Sequence, residues 1–125
     1  MNFKRFPHHR LHTVKNRPFE VYWSSNAEKA LQKRLTPLLV EMELKFACMV
    51  RMRVHFHEDI EHRQSIRITD KLDVLYRPVA GQSCNLKDSM QLNAPGELTT
   101  GPMANRFPKR LAIDYVRGTW LGQYS

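Results

Sequence analysis

Cysteine is scarce in this sequence and occurs in no metal-binding or redox spacing. Cys48 and Cys84 are the only cysteines among 125 residues, and neither belongs to a CxxC pair. This excludes a disulfide-stapled miniprotein and the cysteine-rich zinc motifs. Cys48 lies in an apolar run, so we expect it to be a small core residue in a reducing, cytoplasmic setting.

Long hydrophobic runs are also absent. The longest uninterrupted apolar stretch covers only residues 46–50, whereas a helix that spans a membrane needs about 20 apolar residues. The acid-free segment 1–17 has no apolar centre of the kind found in secretory signals. We therefore expect neither a membrane partner nor secretion.

Sequence signatures of common enzymes are missing as well. The chain has no GxSxG, GxGxxG, P-loop or HExxH motif. The residues therefore favour a binding or interaction protein over an enzyme, and they indicate no organic cofactor.

The composition is that of one globular domain with basic ends. Apolar residues make up 42% of the chain, which is enough for a single core. The net charge is +8, and the excess lies in segments 1–17 and 105–125 while the middle is neutral. We divide the chain into a basic N-terminal arm, residues 1–17, and an α+β domain, residues 18–125, with a long irregular loop over residues 79–108.

One short strand and one helix are predicted after the arm. Apolar residues at 19, 21 and 23 alternate with polar ones, which is typical of a strand. Ser25 and Glu28 have the spacing of a capping box, so a helix is predicted over about residues 26–35. Its buried stripe would contain Ala27, Ala30, Leu31 and Leu35.

Two alternating runs follow, and they predict a long antiparallel hairpin over about residues 40–77. Every even position from Met42 to Phe56 is apolar, which indicates a half-buried strand with a bend near residues 47–49. A second run covers residues 66–76. Keeping both apolar faces on one side requires paired numbers with an even sum, for example 120. That register places Glu43 opposite Arg77 and Arg53 opposite Arg67.

A second hairpin is predicted over about residues 110–124, with its turn at Arg117-Gly118. The expected architecture is therefore α+β, with one helix packed on an antiparallel sheet of four or five strands.

The basic residues predict an anion-binding surface. Arg51, Arg53, Arg67 and Lys71 would share the polar face of the long hairpin, and Lys4, Arg5 and Arg10 would add the arm. Arginine binds phosphates through two parallel hydrogen bonds, so nucleic acid or another polyanion is the expected partner. The alternative is a self-associating structural module, in which the exposed strands pair two copies into a homodimer.

A histidine motif supports a third hypothesis, a divalent metal site. His55 and His57 would project from one face of a strand, and Glu61 could approach them across the following turn. The spacing of these three residues resembles the first half of the cupin metal motif, which implies a metal-dependent protein. The resemblance covers only residues 55–61. Met49 and Ile68 stand where cupins have glycine, and no histidine follows His62 to supply the fourth ligand.

Overall fold

The computed structural model describes residues 6–46, 50–58, 65–80, 96–97 and 107–125, which contain one helix and nine strands. In chain order the elements are β1 (His8–Val14), β2 (Arg17–Trp23), α1 (Ser25–Gln32), β3 (Leu38–Phe46), β4 (Val50–His57), β5 (Ile66–Thr69), β6 (Leu72–Ala80), β7 (Gly96–Glu97), β8 (Arg110–Val116) and β9 (Thr119–Tyr124). The predicted α+β class with a single helix is confirmed for this part of the chain. Within it, no helix is long and apolar enough to cross a membrane.

The strands form two mixed sheets with the same layout. Sheet A has the order β1-β2-β8-β9, and sheet B has the order β4-β3-β6-β5 with β7 paired to β6. In each sheet two antiparallel hairpins are joined by a parallel pair of inner strands, β2 with β8 and β3 with β6. The prediction of one purely antiparallel sheet is therefore wrong.

The predicted long hairpin over residues 40–77 is two short hairpins. β3 pairs with β4, with Phe46 opposite Val50, and β5 pairs with β6. Residues 42–56 alternate without interruption although the chain reverses within them. Three residues separate the paired Phe46 and Val50, so even-numbered residues of both strands lie on the same face. The predicted bend at residues 47–49 lies outside the described residues.

The predicted antiparallel register is wrong, although one of its two pairs occurs. Glu43 does lie opposite Arg77, but in the parallel pairing of β3 with β6. Arg53 lies opposite Glu43, and Arg67 lies opposite Asp73. Apolar residues share a face of an antiparallel pair when the numbers of paired residues have an even sum. They also share a face of a parallel pair when those numbers differ by an even amount. Alternation alone therefore could not distinguish the two pairings.

The ends of the two sheet A hairpins have the same turn. Lys15 and Asn16 have φ of 52° and 63°, and Arg117 and Gly118 have φ of 51° and 78°. Positive φ at both central residues is the type I′ geometry that matches the twist of antiparallel strands. The C-terminal hairpin and its turn are confirmed, whereas residues 8–14 of the predicted arm form edge strand β1.

The helix is shorter than predicted and begins one residue earlier. Ser24, not Ser25, caps it, accepting a hydrogen bond from the Ala27 N–H at 3.0 Å and donating one to Asp114 at 2.6 Å. Ala27 and Leu31 are buried as predicted, whereas Ala30 is half-buried. Leu35 lies beyond the helix and is exposed.

The predicted loop over residues 79–108 begins later than expected. β6 continues to Ala80, and the two-residue strand β7 pairs with its last two residues, Val79 and Ala80. The remainder of that segment, residues 81–95 and 98–106, lies outside the described residues.

In the part of the chain that the structure describes, one hydrophobic core lies between the inner faces of the two sheets and α1. Its buried members come from β2, α1, β3, β5, β6, β8 and β9: Phe19, Val21, Trp23, Ala27, Leu31, Leu38, Val40, Met42, Ile68, Leu72, Val74, Leu111, Ile113 and Tyr124. At one side of this core, β9 crosses β4 closely, and the Trp120 ring stacks on Phe56 with centroids 5.9 Å apart.

Gly122 lies where β9 approaches β4. A Cβ at this position would be 2.7 Å from Val54 Cγ1 and 3.0 Å from the Phe56 ring. We expect Gly122→Ala to lower the free energy of unfolding by about 1–3 kcal/mol, since the two sheets must separate to admit the methyl group. Urea denaturation measures this, and Gln123→Ala, an exposed neighbour on β9, is the control. Equal stability of the glycine variant and wild type would contradict this packing.

Glu28 on α1 contacts both strands of the β1–β2 hairpin. Its carboxylate accepts hydrogen bonds from the Trp23 indole at 2.9 Å and from Gln32 at 2.8 Å, and it lies 3.4 Å from His8. Burial raises the pKa of this carboxyl, but the two hydrogen bonds and nearby positive charge outweigh burial, and the net pKa lies below its usual value.

A lowered carboxyl pKa makes the contribution of Glu28 depend on pH. The stabilisation is complete above the unfolded-state pKa, about 4.3, and is lost as the pH falls through the lower folded-state value. We therefore expect Glu28→Gln to reduce the free energy of unfolding at pH 7 and to match wild type at the acidic end of the folded range. Denaturation at several pH values tests this, with Asp70→Asn as control, because Asp70 is exposed and has no hydrogen bond or ion pair with another described residue. A constant difference across the range would contradict it.

Candidate functional site

The β3–β4 part of the outer face of sheet B contains four of the predicted site residues, Arg51, Arg53, His55 and His57. Odd-numbered residues of β3 and β4 share this face, because even-numbered residues such as Met42 enter the core. Across the two strands the directly opposed pairs are Lys45 with Arg51, Glu43 with Arg53, Glu41 with His55 and Leu39 with His57. One end of the face is therefore basic, and the other end pairs glutamates with histidines.

Three cations form the basic end: Lys45, Arg51 and Arg53, here called the cationic triad. All three are exposed, and no residue of segments 6–46, 50–58, 65–80 and 107–125 forms an ion pair with any of them. Lys45 and Arg51 lie directly opposite each other, an arrangement that costs free energy on a sheet unless an anion lies near. The triad is therefore suited to bind a phosphate or another anion.

Arg67 and Lys71 do not join the triad. Sheet order places β5 and β4 at opposite edges with β3 and β6 between them, so the predicted opposition of Arg53 and Arg67 is wrong. Arg67 Nε donates to the buried Asp73 carboxylate at 2.5 Å, and Lys71 Nζ donates to the Arg34 carbonyl at 2.5 Å. Both cations are thus used in structural contacts.

The arm residues are dispersed. Lys4 and Arg5 lie outside the described residues. Arg10 is on β1 in sheet A, where its guanidinium carbon is 5.8 Å from the Trp23 ring centroid. Its partners are therefore those of sheet A rather than the triad.

His55 and His57 occur on one face of β4, as predicted, and each contacts a glutamate of β3. His55 Nε2 lies 3.1 Å from Glu43 Oε2, and His57 Nε2 lies 3.0 Å from Glu41 Oε1. The predicted third ligand, Glu61, lies outside the described residues. We call Glu41, Glu43, His55 and His57 the His–Glu quartet.

The glutamates of the quartet were missed because the sequence interpretation placed β3 and β4 in one strand. Within one strand, Glu41 and Glu43 would lie more than ten positions from the histidines. The signal was present, since an ExE pair and an HxH pair with the same parity must share a face once the chain reverses between them.

A second basic surface lies in a groove between α1 and the β8–β9 turn, with a volume of about 520 Å³. Lys29, Lys33, Arg34 and Arg117 line it, together with the aromatic rings of Tyr115 and Trp120. The two rings are 4.6 Å apart between centroids. Glu58 neutralises Arg34 at 2.7 Å, and no described residue pairs with the other three cations. We call this the aromatic groove; the sequence interpretation did not identify it.

The Tyr124 side chain connects β9 to β3 beside the quartet through a hydrogen bond. Its hydroxyl donates a hydrogen bond to the Glu43 carbonyl oxygen. Burial, followed by the neighbouring Tyr76 and Glu43, raises the pKa of this hydroxyl well above its usual value. The hydroxyl therefore keeps its proton and remains a donor throughout the physiological range.

Comparison with protein-family models, with curated proteins and with solved structures gives no match. The local resemblance of residues 55–61 to the cupin motif therefore has no support over the rest of the chain. The triad, the quartet and the groove are therefore the features from which we infer a function.

Arg67 contacts a buried carboxylate, whereas Arg53 has an exposed side chain. We expect Arg67→Ser to lower the free energy of unfolding by about 1–3 kcal/mol, because it leaves the buried Asp73 carboxylate without its donor. Arg53→Ser removes the same charge from an exposed side chain that has no ion pair within segments 6–46, 50–58, 65–80 and 107–125, and it should leave stability nearly unchanged. Urea denaturation of both variants measures the difference. Equal stabilities would show that the Arg67–Asp73 pair contributes nothing.

Proposed function

We propose that the protein binds the phosphate backbone of single-stranded nucleic acid, with the cationic triad as the main contact. The observation that carries this proposal is the direct opposition of Lys45 and Arg51, beside Arg53, with no ion pair from any of the three to residues 6–46, 50–58, 65–80 or 107–125. A phosphate between opposed cations removes their repulsion and accepts hydrogen bonds from the planar guanidinium groups.

The aromatic groove supports a nucleic-acid ligand over a simple anion. The Tyr115 and Trp120 rings are half-buried, and cations lie beside them in the groove. Cations beside aromatic rings are the usual combination in proteins that bind single strands, because bases stack on the rings while the cations follow the backbone. Glu58, in the groove, follows the last residue of β4, and Arg51 is near its first residue. Seven positions of extended chain correspond to about 23 Å, a span that several nucleotides can bridge.

Binding by charge neutralisation predicts a steep dependence on salt. Each phosphate contact to a single strand adds about 0.7 to the negative slope of log K against log salt concentration. We therefore expect Arg51→Ser combined with Arg53→Ser to reduce that slope by about 1.4 and to weaken binding at low salt. Fluorescence anisotropy with a labelled oligonucleotide of about 16 nucleotides measures both quantities.

A charge-matched control separates the triad from the net charge of +8. Arg17→Ser combined with Lys109→Ser also removes two exposed cations, but from sheet A and the segment that precedes β8. Binding by the triad requires that this control retain the wild-type slope. An equal loss in both variants, or no binding by wild type at low salt, would overturn the proposal.

Sedimentation of the same samples without oligonucleotide is needed at two protein concentrations. β4 is an edge strand among the described residues of sheet B, and Val50 and Met52 on it are 58% and 50% exposed. Such an edge also suits the pairing of two copies, which would bring two triads together. A binding isotherm is interpreted per monomer or per dimer according to this measurement.

A further inference from the structure

The His–Glu quartet is a concentration of ligating atoms that nucleic-acid binding does not use. One carboxylate oxygen each from Glu41 and Glu43 and one ring nitrogen of His55 lie within 4.8 Å of one another. His57 is hydrogen-bonded to Glu41 from the neighbouring position on β4. Two adjacent strands thus supply two nitrogen and two oxygen donors to one patch.

The surroundings of Glu41 and Glu43 favour a cation between their carboxylates. Only 4% of the Glu41 side chain and 15% of the Glu43 side chain is exposed, so water solvates their charges poorly. Two carboxylates this close repel each other when both are ionised. The Arg77 guanidinium forms an ion pair with the second oxygen of Glu41 at 3.7 Å, on the side away from His57 Nε2, which contacts the first oxygen.

We propose that the quartet binds one divalent transition-metal ion of the zinc class. Imidazole nitrogen and carboxylate oxygen are the donors that such ions accept, at bond lengths of about 2.0–2.2 Å. Four donors around a tetrahedral ion at that distance are about 3.3 Å from one another. Two of the six donor pairs, His55–Glu43 at 3.1 Å and His57–Glu41 at 3.0 Å, are a few tenths of an ångström shorter. The mutually close donors are those of Glu41, Glu43 and His55, so the His57 ring must turn toward them to become the fourth ligand.

The surroundings resemble an outer shell that holds ligands in place. Arg77 lies beside the Glu41 carboxylate, and the Tyr124 hydroxyl fixes the Glu43 backbone. Groups that orient metal ligands in this way usually raise affinity about 10–100-fold. The histidines, at 39% and 41% side-chain exposure, leave an entry path for the ion from solvent.

Calorimetric titration of the metal-free protein with zinc chloride tests the proposal. The protein is prepared without a histidine tag and dialysed against a chelator. We expect wild type to bind one equivalent, and His55→Gln combined with His57→Gln to weaken binding by more than about 100-fold, beyond the loss typical of an outer-shell partner. Titration with Co²⁺ provides an independent readout, because its visible absorption reports tetrahedral coordination.

The control removes two histidines from elsewhere in the fold. His9→Gln combined with His12→Gln changes β1, where His9 lies 3.8 Å from Glu20 and thus has a carboxylate neighbour but no second ligand pair. This variant must retain the single equivalent. An equal loss in both histidine variants would mean scattered surface binding, and no zinc uptake by wild type would mean that the histidines and glutamates only hydrogen-bond each other; either result overturns the proposal.

Glu43→Gln is a second test from the acidic side. It keeps a hydrogen-bonding group beside His55 but removes the charge that a metal ion needs, so zinc affinity should fall while the fold, followed by circular dichroism, remains. The test does not depend on nucleic-acid binding. The Arg51→Ser, Arg53→Ser double variant should keep its zinc equivalent even if it loses the oligonucleotide.

Discussion

The parallel pairing of β3 with β6 is the constraint on which the rest of sheet B depends. It places two strands from separate hairpins in the middle of the sheet, with one face in the core. On the other face the inner strands also carry buried residues, among them Leu39 and Leu75. Because each inner strand has its own outer partner, the outer face becomes four strands wide. The buried Glu41 and Asp73 lie on the two inner strands, β3 and β6, where neighbours on both sides shield them from water.

The charges on that face are arranged by the position of each strand. Asp73 is buried on β6 and has Arg67 as its partner from the adjacent edge strand. Glu41 and Glu43 are on β3 and have histidines from the other edge. The cationic triad begins at Arg53, opposite Glu43, and continues with Lys45 opposite Arg51. A single surface therefore combines pairs that neutralise each other with cations that have no described partner.

Local features of the fold were predictable, and long-range ones were not. The C-terminal hairpin was predicted because its turn, Arg117-Gly118, and its alternating strands are adjacent in the chain. The sheet B topology was missed because the even offset that aligns Val40 with Val74 in parallel satisfies the same alternation as an antiparallel pairing. The capping serine was misplaced by one position, since Ser24 and Ser25 are chemically equivalent and only the contact to Asp114 distinguishes them.

The same limit applies to the site. Arg51, Arg53, His55 and His57 were recognisable from their alternation within one strand, whereas the glutamates that face the histidines depend on where the chain reverses. Arg67 was assigned to the wrong group for the same reason. Sequence alternation reports which side chains share a face, but only strand order reports which of them are neighbours.

The layout of sheet A has a consequence for synthesis of the chain. β2 is made early but its parallel neighbour β8 begins at Arg110, so the inner edge of the first hairpin has no strand beside it until the C-terminal hairpin has been translated. Sheet B carries no such delay, because its four principal strands lie within residues 38–80. Contacts between distant segments form slowly, and an unpaired strand edge is a site for association with other chains. The β8–β9 hairpin is therefore the element that covers the edge of β2 against association with other chains.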